Sequence, residues 1–234
     1  MQSQSDRKKK ALLLTGLLLM IIVPIGINLT RDTSDSSSLN LPPMPEDKAD
    51  RFVQIASQSY FFHEYPKAIE NYENAIKVYE TRGETRRVAK THQSIGDVYK
   101  ILGQYDSAEK EYLISADHHS EIGNLAGKAE AYKKIGSMHS ELGERSRALD
   151  WYLQSLKAVE SGPPSMILGQ ILETIGRFYW EKKQASEAIE HLLRAKETFV
   201  AIRFHMGTEH MTNLIDLIQG SHYSAKGNPS KKKL

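Results

Sequence analysis

Small and large side chains recur at a fixed spacing of 40 residues from about position 49 onward. One column holds a small residue, a second column twelve positions later holds alanine, and a third column four positions beyond that holds a large residue. The columns are Ala56, Gly96, Gly136 and Gly176; Ala68, Ala108, Ala148 and Ala188; and Tyr72, Tyr112, Tyr152 and Leu192. A period of this length predicts a stack of repeated units, each resting on its neighbours.

Each copy holds two helical stretches. In the second copy the pattern predicts one helix over about 85–102 and another over about 106–122, joined by a turn at ILGQY. Closely packed helices need small residues where their axes approach, so the glycine and alanine columns are predicted to face each other. Tyr112 and its equivalents are predicted to fill the space between one helix pair and the next.

Glycine and proline mark the ends of these helices. Gly103 and Gly143 are predicted to adopt the left-handed conformation that commonly follows a helix. Pro66 and Pro164 are predicted to lie in a first helical turn, where a missing backbone N–H has no cost.

The columns resemble the tetratricopeptide repeat, which places small, hydrophobic and aromatic residues at these positions. The matching residues are Ile95, Gly96 and Tyr99 on one helix, and Ala108, Tyr112 and Ser115 on the other. The usual period of that family is 34 residues, and a period of 40 is similar to its long-repeat branch, represented by Pins/LGN scaffolds and kinesin light chains. The resemblance covers about residues 49–200 and implies an all-α superhelix of four helix pairs.

The repeat and its flanks predict an order of segments along the chain. They are a basic cytoplasmic N-terminus at 1–10, a transmembrane segment at 11–30, a disordered Ser/Pro-rich stalk at 31–48, repeat units at about 49–84, 85–124, 125–163 and 164–204, a capping helix at 205–220, and a basic disordered tail at 221–234. The stalk contains three prolines and many small polar residues, which leave nothing to bury. A proline-recognition motif is the alternative for it.

An uncharged run of twenty residues, 11–30, follows four basic residues at 7–10. A helix of that length spans the hydrocarbon core of a bilayer, which favours a signal anchor. A cleaved signal peptide is the alternative, although Pro24 lies at a poor position for the cleavage site. The excess of basic residues before the run predicts a single-pass protein with a cytoplasmic N-terminus and an extracytoplasmic, periplasmic or lumenal repeat domain. The terminal KKKL is then interpreted as a solvated basic tail and not as a retrieval signal.

The first helix of each pair is expected to line the concave side of the stack. The candidate partner-binding residues on these helices are Tyr60, Gln93, Asp97, Lys100, Lys133, Ser137, Glu173, Arg177 and Trp180. Their charges are mixed, so the groove is not predicted to select an acidic tail. Trp180 and the cluster Tyr60, Phe61 and Phe62 are the candidate hot spots, with packing between helices as the competing interpretation. The lysine–asparagine clamp of chaperone-binding repeats and the asparagine rows of Pins-type scaffolds have no match here.

Composition and charge narrow the function further. The net charge is +2, which does not favour nucleic acid, and the absence of cysteine excludes disulfides and thiolate metal sites. No phosphate-binding glycine loop occurs. His118 and His119 are adjacent and His205 and His210 are five apart, spacings that suit a shared metal poorly. No catalytic, cofactor-binding or metal site is therefore predicted, and no small-molecule substrate.

The sequence thus predicts a membrane-anchored scaffold, an accessory or assembly subunit of a membrane-associated complex and not an enzyme. Its partners would be other proteins, bound at the concave face, and the lipid bilayer, contacted by 11–30. A regulator whose groove binds a small peptide signal is the alternative.

Overall fold

A computed structural model describes residues 45–225, all within the second of two units into which the chain divides, Met44–Leu234. This part of the chain contains α-helices and no strand. The helices are α1 Lys48–Phe61, α2 Tyr65–Thr81, α3 Thr85–Ile101, α4 Tyr105–Glu121, α5 Leu125–Glu141, α6 Arg145–Val159, α7 Met166–Glu181, α8 Ala185–Ala201 and α9 His205–Ala225. They alternate as first and second helices of successive pairs, and α9 is a further first helix.

Most of the turns between these helices are three residues long and have a left-handed residue at their centre. These central residues are His63, Gly83, Gly103, Gly123, Gly143, Lys183 and Arg203, at φ between 57° and 76°. The left-handed conformations predicted for Gly103 and Gly143 are therefore confirmed. The same left-handed conformation occurs at His63, Lys183 and Arg203, although residues with a Cβ disfavour it. Because these turns are short and share one conformation, successive helices run antiparallel.

The turn between α6 and α7 is longer, from 160 to 165, and here the structure differs from the sequence prediction. Pro164 lies before the helix and not in its first turn. Ser165 is the N-cap, and its side chain accepts a hydrogen bond from the Leu168 N–H. A serine in this position satisfies a backbone donor that proline cannot, so α7 begins at Met166. Pro66 does lie in the first turn of α2.

The glycine column allows the two helices of one pair to touch. A Cβ on Gly96 would lie 2.6 Å from Cε1 of Tyr112. A Cβ on Gly136 would lie 2.8 Å from the Tyr152 ring and 3.2 Å from the carbonyl oxygen of Ala148. The tyrosine rings thus pack over the glycines of their own pair. Tyr112 also shares a buried cluster with residues of α5 in the next pair, in agreement with the prediction that this column fills the space between pairs. Because glycine leaves no side chain in the way, the ring occupies the space over the backbone.

Burial continues along the whole stack of pairs. The predicted packing residues Ala56, Gly96, Gly136, Gly176, Ala68, Ala108, Ala148 and Ala188 are all buried. Each helix packs on the helices before and after it in sequence, and α5 also contacts α7. At the C-terminal end Met211, Ile215 and Ile218 of α9 are buried in the cluster that includes α8. Gly207 is also buried, and Leu214 is half-buried against the same cluster. Most other residues of α9 up to 220 are polar and exposed or half-buried, and the apolar Met206 and Leu217 are exposed.

The predicted membrane localisation is corrected. Among residues 45–225, no helix combines the length and the apolar character needed to cross a bilayer. This finding overturns the prediction of a single-pass protein with an extracytoplasmic repeat domain. The run at 11–30 on which the prediction was based lies outside the described residues, as do the predicted N-terminus at 1–10 and the stalk up to 44.

Two segment boundaries also differ. Lys48, assigned to the stalk, is the first residue of α1, because Asp47 caps the helix by accepting from the N–H groups of Ala49 and Asp50. The last helix reaches Ala225, five residues beyond its predicted end and into the predicted tail.

Candidate functional site: the first-helix face

The first helices α1, α3, α5, α7 and α9 lie side by side, and together they form a surface that we call the first-helix face. Polar contacts connect each helix with the next: Asp50 with Arg87 at 2.7 Å, Asp97 with Lys134 at 2.9 Å, Lys133 with Gln170 at 3.1 Å, and Glu173 with His210 at 3.3 Å. In all four pairs the second residue is 37 positions after the first. Neighbouring first helices are therefore offset by three residues, nearly one turn, relative to the 40-residue spacing of the sequence.

Two further contacts join the same helices at other offsets. Lys100 Nζ donates to the carboxylate of Glu141 at 2.9 Å, and Arg177 Nη2 lies 2.6 Å from Nε2 of His210. Arg177 also pairs with Glu173 on its own helix at 2.9 Å. Polar contacts thus connect the first helices along the stack, and every contact except Asp50–Arg87 includes a predicted groove residue.

All nine predicted groove residues lie on first helices. Eight of them are half-buried, namely Tyr60, Gln93, Asp97, Lys100, Lys133, Ser137, Glu173 and Trp180, and Arg177 is exposed. The structure brings Asp97, Lys100, Lys133, Glu173 and Arg177 into contacts with a neighbouring first helix. Their role in binding a partner stays a prediction.

The tyrosine column reaches this face from below. The hydroxyl of Tyr112 donates to Asp97 Oδ1 at 2.7 Å, that of Tyr152 donates to Ser137 Oγ at 3.4 Å, and that of Tyr72 lies 3.3 Å from Ser57 Oγ. Each tyrosine is 15 positions after its partner. The hydroxyls therefore contact polar side chains of the first-helix face at equivalent positions in three successive pairs.

Asp97 connects three helices at this face. Its carboxylate accepts from the Tyr112 hydroxyl below and from the Lys134 ammonium on the next helix, and that ammonium also lies 5.8 Å from the centre of the Tyr112 ring. Tyr112 is fully buried. Its burial, together with the hydrogen bond to Asp97, raises the pKa of the Tyr112 hydroxyl well above its usual range. The Tyr112 hydroxyl is therefore a neutral donor, and Asp97 and Lys134 form an ion pair.

A cavity of about 260 Å³ opens between α1 and α3. Its lining residues are Asp50, Val53, Tyr72, Tyr79, Arg87, Lys90, Thr91 and Ser94. Asp50 accepts hydrogen bonds from the Tyr79 hydroxyl and from Arg87, both at 2.7 Å. Burial, followed by the hydrogen bond to Asp50, raises the pKa of Tyr79 to about 12. No pattern in the sequence predicts this cavity, because it depends on how α1 and α3 are offset.

The aromatic candidates fall into two environments. Trp180 is half-buried and packs on the C-terminal core cluster, beside Tyr179. Phe61 and Phe62 lie at the end of α1 with ring centres 5.3 Å apart, and Phe61 is 73% exposed. Packing between helices, the competing interpretation, therefore does not account for Phe61.

Four histidines of α3, α4 and α5 contact neighbouring side chains. His118 stacks on His92 with ring centres 5.7 Å apart, whereas His119 is buried and its Nδ1 accepts from the Asn124 amide at 3.0 Å. Both ring nitrogens of the buried His139 lie against carboxylates, Glu109 at 2.9 Å and Glu144 at 2.8 Å. Within the described part of the chain no cluster of three His, Asp or Glu residues is arranged to hold a metal ion.

A family model described as "SNAP: Soluble NSF attachment protein, SNAP" matches residues 43–160. A comparison of the sequence with curated proteins finds no match.

Solved structures show the same fold. The chain is similar to "Crystal structure of BtubC (BKLC) from P. vanneervenii", with a TM-score of 0.51 and 14% identity over 79% of this chain and 85% of that one. It is similar to "Crystal Structure of the Apo Form of RapI" (TM-score 0.57, 16% identity, 74% of this chain and 64% of that one). It is also similar to "Crystal Structure of Rap Protein Complexed with Competence and Sporulation Factor" (TM-score 0.60, 16% identity, 76% of this chain) and spans about half, 51%, of that chain.

At these identities the solved structures show the fold alone: an all-helical repeat stack of the tetratricopeptide type. The chain is therefore a helical-repeat protein. The assignment to the branch of Pins/LGN scaffolds and kinesin light chains stays a prediction.

Proposed function

This chain belongs to the soluble NSF attachment protein family, and we propose that it is a non-enzymatic adaptor that binds a segment of a partner protein along its first-helix face. In this proposal the chain is an accessory or assembly subunit of a larger complex. The family description, an attachment protein, is in keeping with such a role.

The observation that carries the proposal is the continuous face formed by five first helices. Its side chains are half-buried and mostly polar, and cross-helix contacts keep neighbouring helices in a fixed offset. A surface that is already ordered before binding loses little conformational entropy when a partner docks. Repeat stacks present extended surfaces of this kind to their partners.

A matched pair of substitutions tests the proposal. Gln170 is exposed on α7, where its side chain accepts a hydrogen bond from Lys133, and Gln154 is exposed on the second helix α6. Gln170→Arg places a bulky cation beside Lys133 on the first-helix face, and Gln154→Arg makes the same change away from it. Proximity labelling from the intact chain is expected to lose its main partner proteins with Gln170→Arg and to keep them with Gln154→Arg. If the two variants, both folded by circular dichroism, label the same proteins as the unchanged chain, the face is not the interface.

A peptide-sensing regulator is the second candidate, and a specific observation favours it. One of the structures similar in fold is a Rap protein described as complexed with competence and sporulation factor. A sensor changes its conformation when a ligand binds one state better than another, whereas an adaptor can keep one state. Hydrogen exchange with and without a groove-binding peptide separates the two: protection confined to the face supports the adaptor, and changes that spread through α7 to α9 support the sensor.

A further inference from the structure

Between α1 and α3, one pair of opposed side chains differs in its chemistry from the polar contacts that join neighbouring first helices. Side chains 37 positions apart face each other in the contacts Asp50–Arg87, Asp97–Lys134 and Lys133–Gln170. The same offset places Lys90 opposite Val53, and both residues line the cavity between α1 and α3. A cation thus faces a hydrocarbon side chain here, whereas the other contacts at the same offset join two polar side chains.

Lys90 also differs from several basic groups of this face in having no partner within residues 45–225. Other basic groups of this face are paired within the chain: Arg87 with Asp50, Lys100 with Glu141, Lys133 with Glu130, Lys134 with Asp97 and Arg177 with Glu173. No acceptor lies within hydrogen-bonding or ion-pairing distance of Lys90 Nζ among the described residues, and the side chain is exposed. The Asp50 carboxylate in the same cavity is already occupied by Arg87 and by the Tyr79 hydroxyl. The cavity therefore keeps one uncompensated positive charge.

Its size and walls indicate what fits. The volume of about 260 Å³ is below the range of about 300–1,000 Å³ that is usual for pockets enclosing a whole small molecule, so it suits a single side chain. Val53 and the rings of Tyr72 and Tyr79 supply an apolar wall for methylene groups, and Lys90 and Ser94 supply polar groups at the rim. An acidic side chain combines methylene groups with a carboxylate that the free ammonium can bind.

We propose that this cavity receives an aspartate or glutamate side chain of the bound partner segment, with its carboxylate on Lys90 Nζ. The inference rests on the proposed function, because the acidic residue belongs to a segment lying along the first-helix face. The proposal defines a specificity: the bound segment carries an acidic residue at one fixed position. The other basic groups that the segment would contact are already paired with carboxylates of the chain. A salt-dependent contribution to affinity follows, since exposed charges are screened by ions.

A peptide selection tests the site without a known partner. Displayed heptapeptides of random sequence, joined to the carrier through their C-termini so that no free chain-end carboxylate is present, are selected on the unchanged chain. The best binder is then synthesised, acetylated and amidated, with its acidic residue either kept or changed from Glu to Gln or Asp to Asn. Fluorescence anisotropy measures both peptides against the unchanged chain, Lys90→Gln and the control Lys77→Gln, which removes an exposed lysine from α2.

The expected result is an acidic residue at one fixed position of the selected peptides. Neutralising that residue weakens binding to the unchanged chain and to Lys77→Gln roughly three- to tenfold, and has no effect on Lys90→Gln. Two results would overturn the inference without contradicting the proposed function. One is a set of selected peptides without a fixed acidic position. The other is that neutralising the acidic residue weakens binding to Lys90→Gln as much as binding to the unchanged chain.

Two other outcomes are distinguishable. If no peptide is enriched on the unchanged chain, the proposed function fails together with this inference. If the neutral peptide regains binding when its C-terminus is a free carboxylate, and Lys90→Gln abolishes that gain, the site takes chain ends, and the side-chain assignment is overturned.

Discussion

Lys134 on α5 donates hydrogen bonds to both carboxylate oxygens of Asp97 on α3, with Nζ–O distances of 2.9 Å. The same carboxylate accepts from the buried Tyr112 hydroxyl of α4. One side chain therefore joins three helices that belong to two successive pairs, and it does so on the face proposed to bind partners. The pairing fixes how the second and third pairs sit against each other.

Replacing Asp97 is expected to loosen that junction. Asp97→Ala leaves the Tyr112 hydroxyl and the Lys134 ammonium without their acceptor, which should lower the free energy of unfolding by roughly 1–3 kcal/mol. Urea unfolding followed by circular dichroism measures the change. Glu141→Ala removes the more exposed partner of Lys100 and should cost less than about 1 kcal/mol. Equal losses in the two variants would contradict the special position of Asp97.

Substitutions at two helical glycines, one in the glycine column and one outside it, are expected to have opposite effects on stability. Gly136→Ala brings a methyl group to within 2.8 Å of the Tyr152 ring, and the resulting overpacking should destabilise the chain by roughly 1–3 kcal/mol. Gly220→Ala in α9 meets nothing within 4 Å and should stabilise the helix by up to about 1 kcal/mol. Thermal melting compares the variants, and a Gly136→Ala variant that melts like the unchanged chain would argue against the tight approach of α5 and α6.

The left-handed turn residues allow a stabilising change. Lys183 has a φ of 61° in a position where four of the equivalent turn residues are glycine. Lys183→Gly should raise the free energy of unfolding by roughly 0.5–1 kcal/mol, because glycine adopts this conformation without the steric cost of a Cβ. Gly143→Ala is the reciprocal control and should destabilise. The idea would be wrong if Lys183→Gly lowered the melting temperature.

His119 should make stability depend on pH. Burial first, and then the positive charges of Arg86 and Lys90, lower the pKa of His119 from its ordinary value of 6.5. The unfolded chain therefore binds the proton at a higher pH than the folded one, so stability is complete above about pH 6.5 and declines as the pH falls below it. Protonation also removes the lone pair with which Nδ1 accepts from Asn124, the N-cap of α5.

An NMR titration of the His119 ring is the direct measurement, and a midpoint below 6.5 is expected. The melting temperature of His119→Gln should fall less between pH 7.5 and 5.5 than that of the unchanged chain. A midpoint at or above 6.5 would remove His119 as a source of acid sensitivity.

Particular residues show how far the sequence could be interpreted by itself. The 40-residue columns predict an all-helical stack with Gly96 and Ala108 at the contacts, and Gly103 and Gly143 predict left-handed turns. These features depend on short-range geometry, because residues close together in the sequence determine the helical periodicity, the turn conformation and the space over a glycine. The predicted groove residues could be placed on first helices for the same reason.

The tertiary structure decided which side chains of neighbouring helices lie opposite each other. Whether Asp97 faces Ser137, in its own column, or Lys134, three positions earlier, depends on the offset between neighbouring first helices. That offset results from side-chain packing across many residues and leaves no period of its own in the sequence. The same offset places Lys90 opposite Val53 and creates the cavity, and the packing within each pair puts the Tyr112 ring over Gly96. The columns of the chain thus determine the repeating unit, and the contacts between units determine the face that a partner would meet.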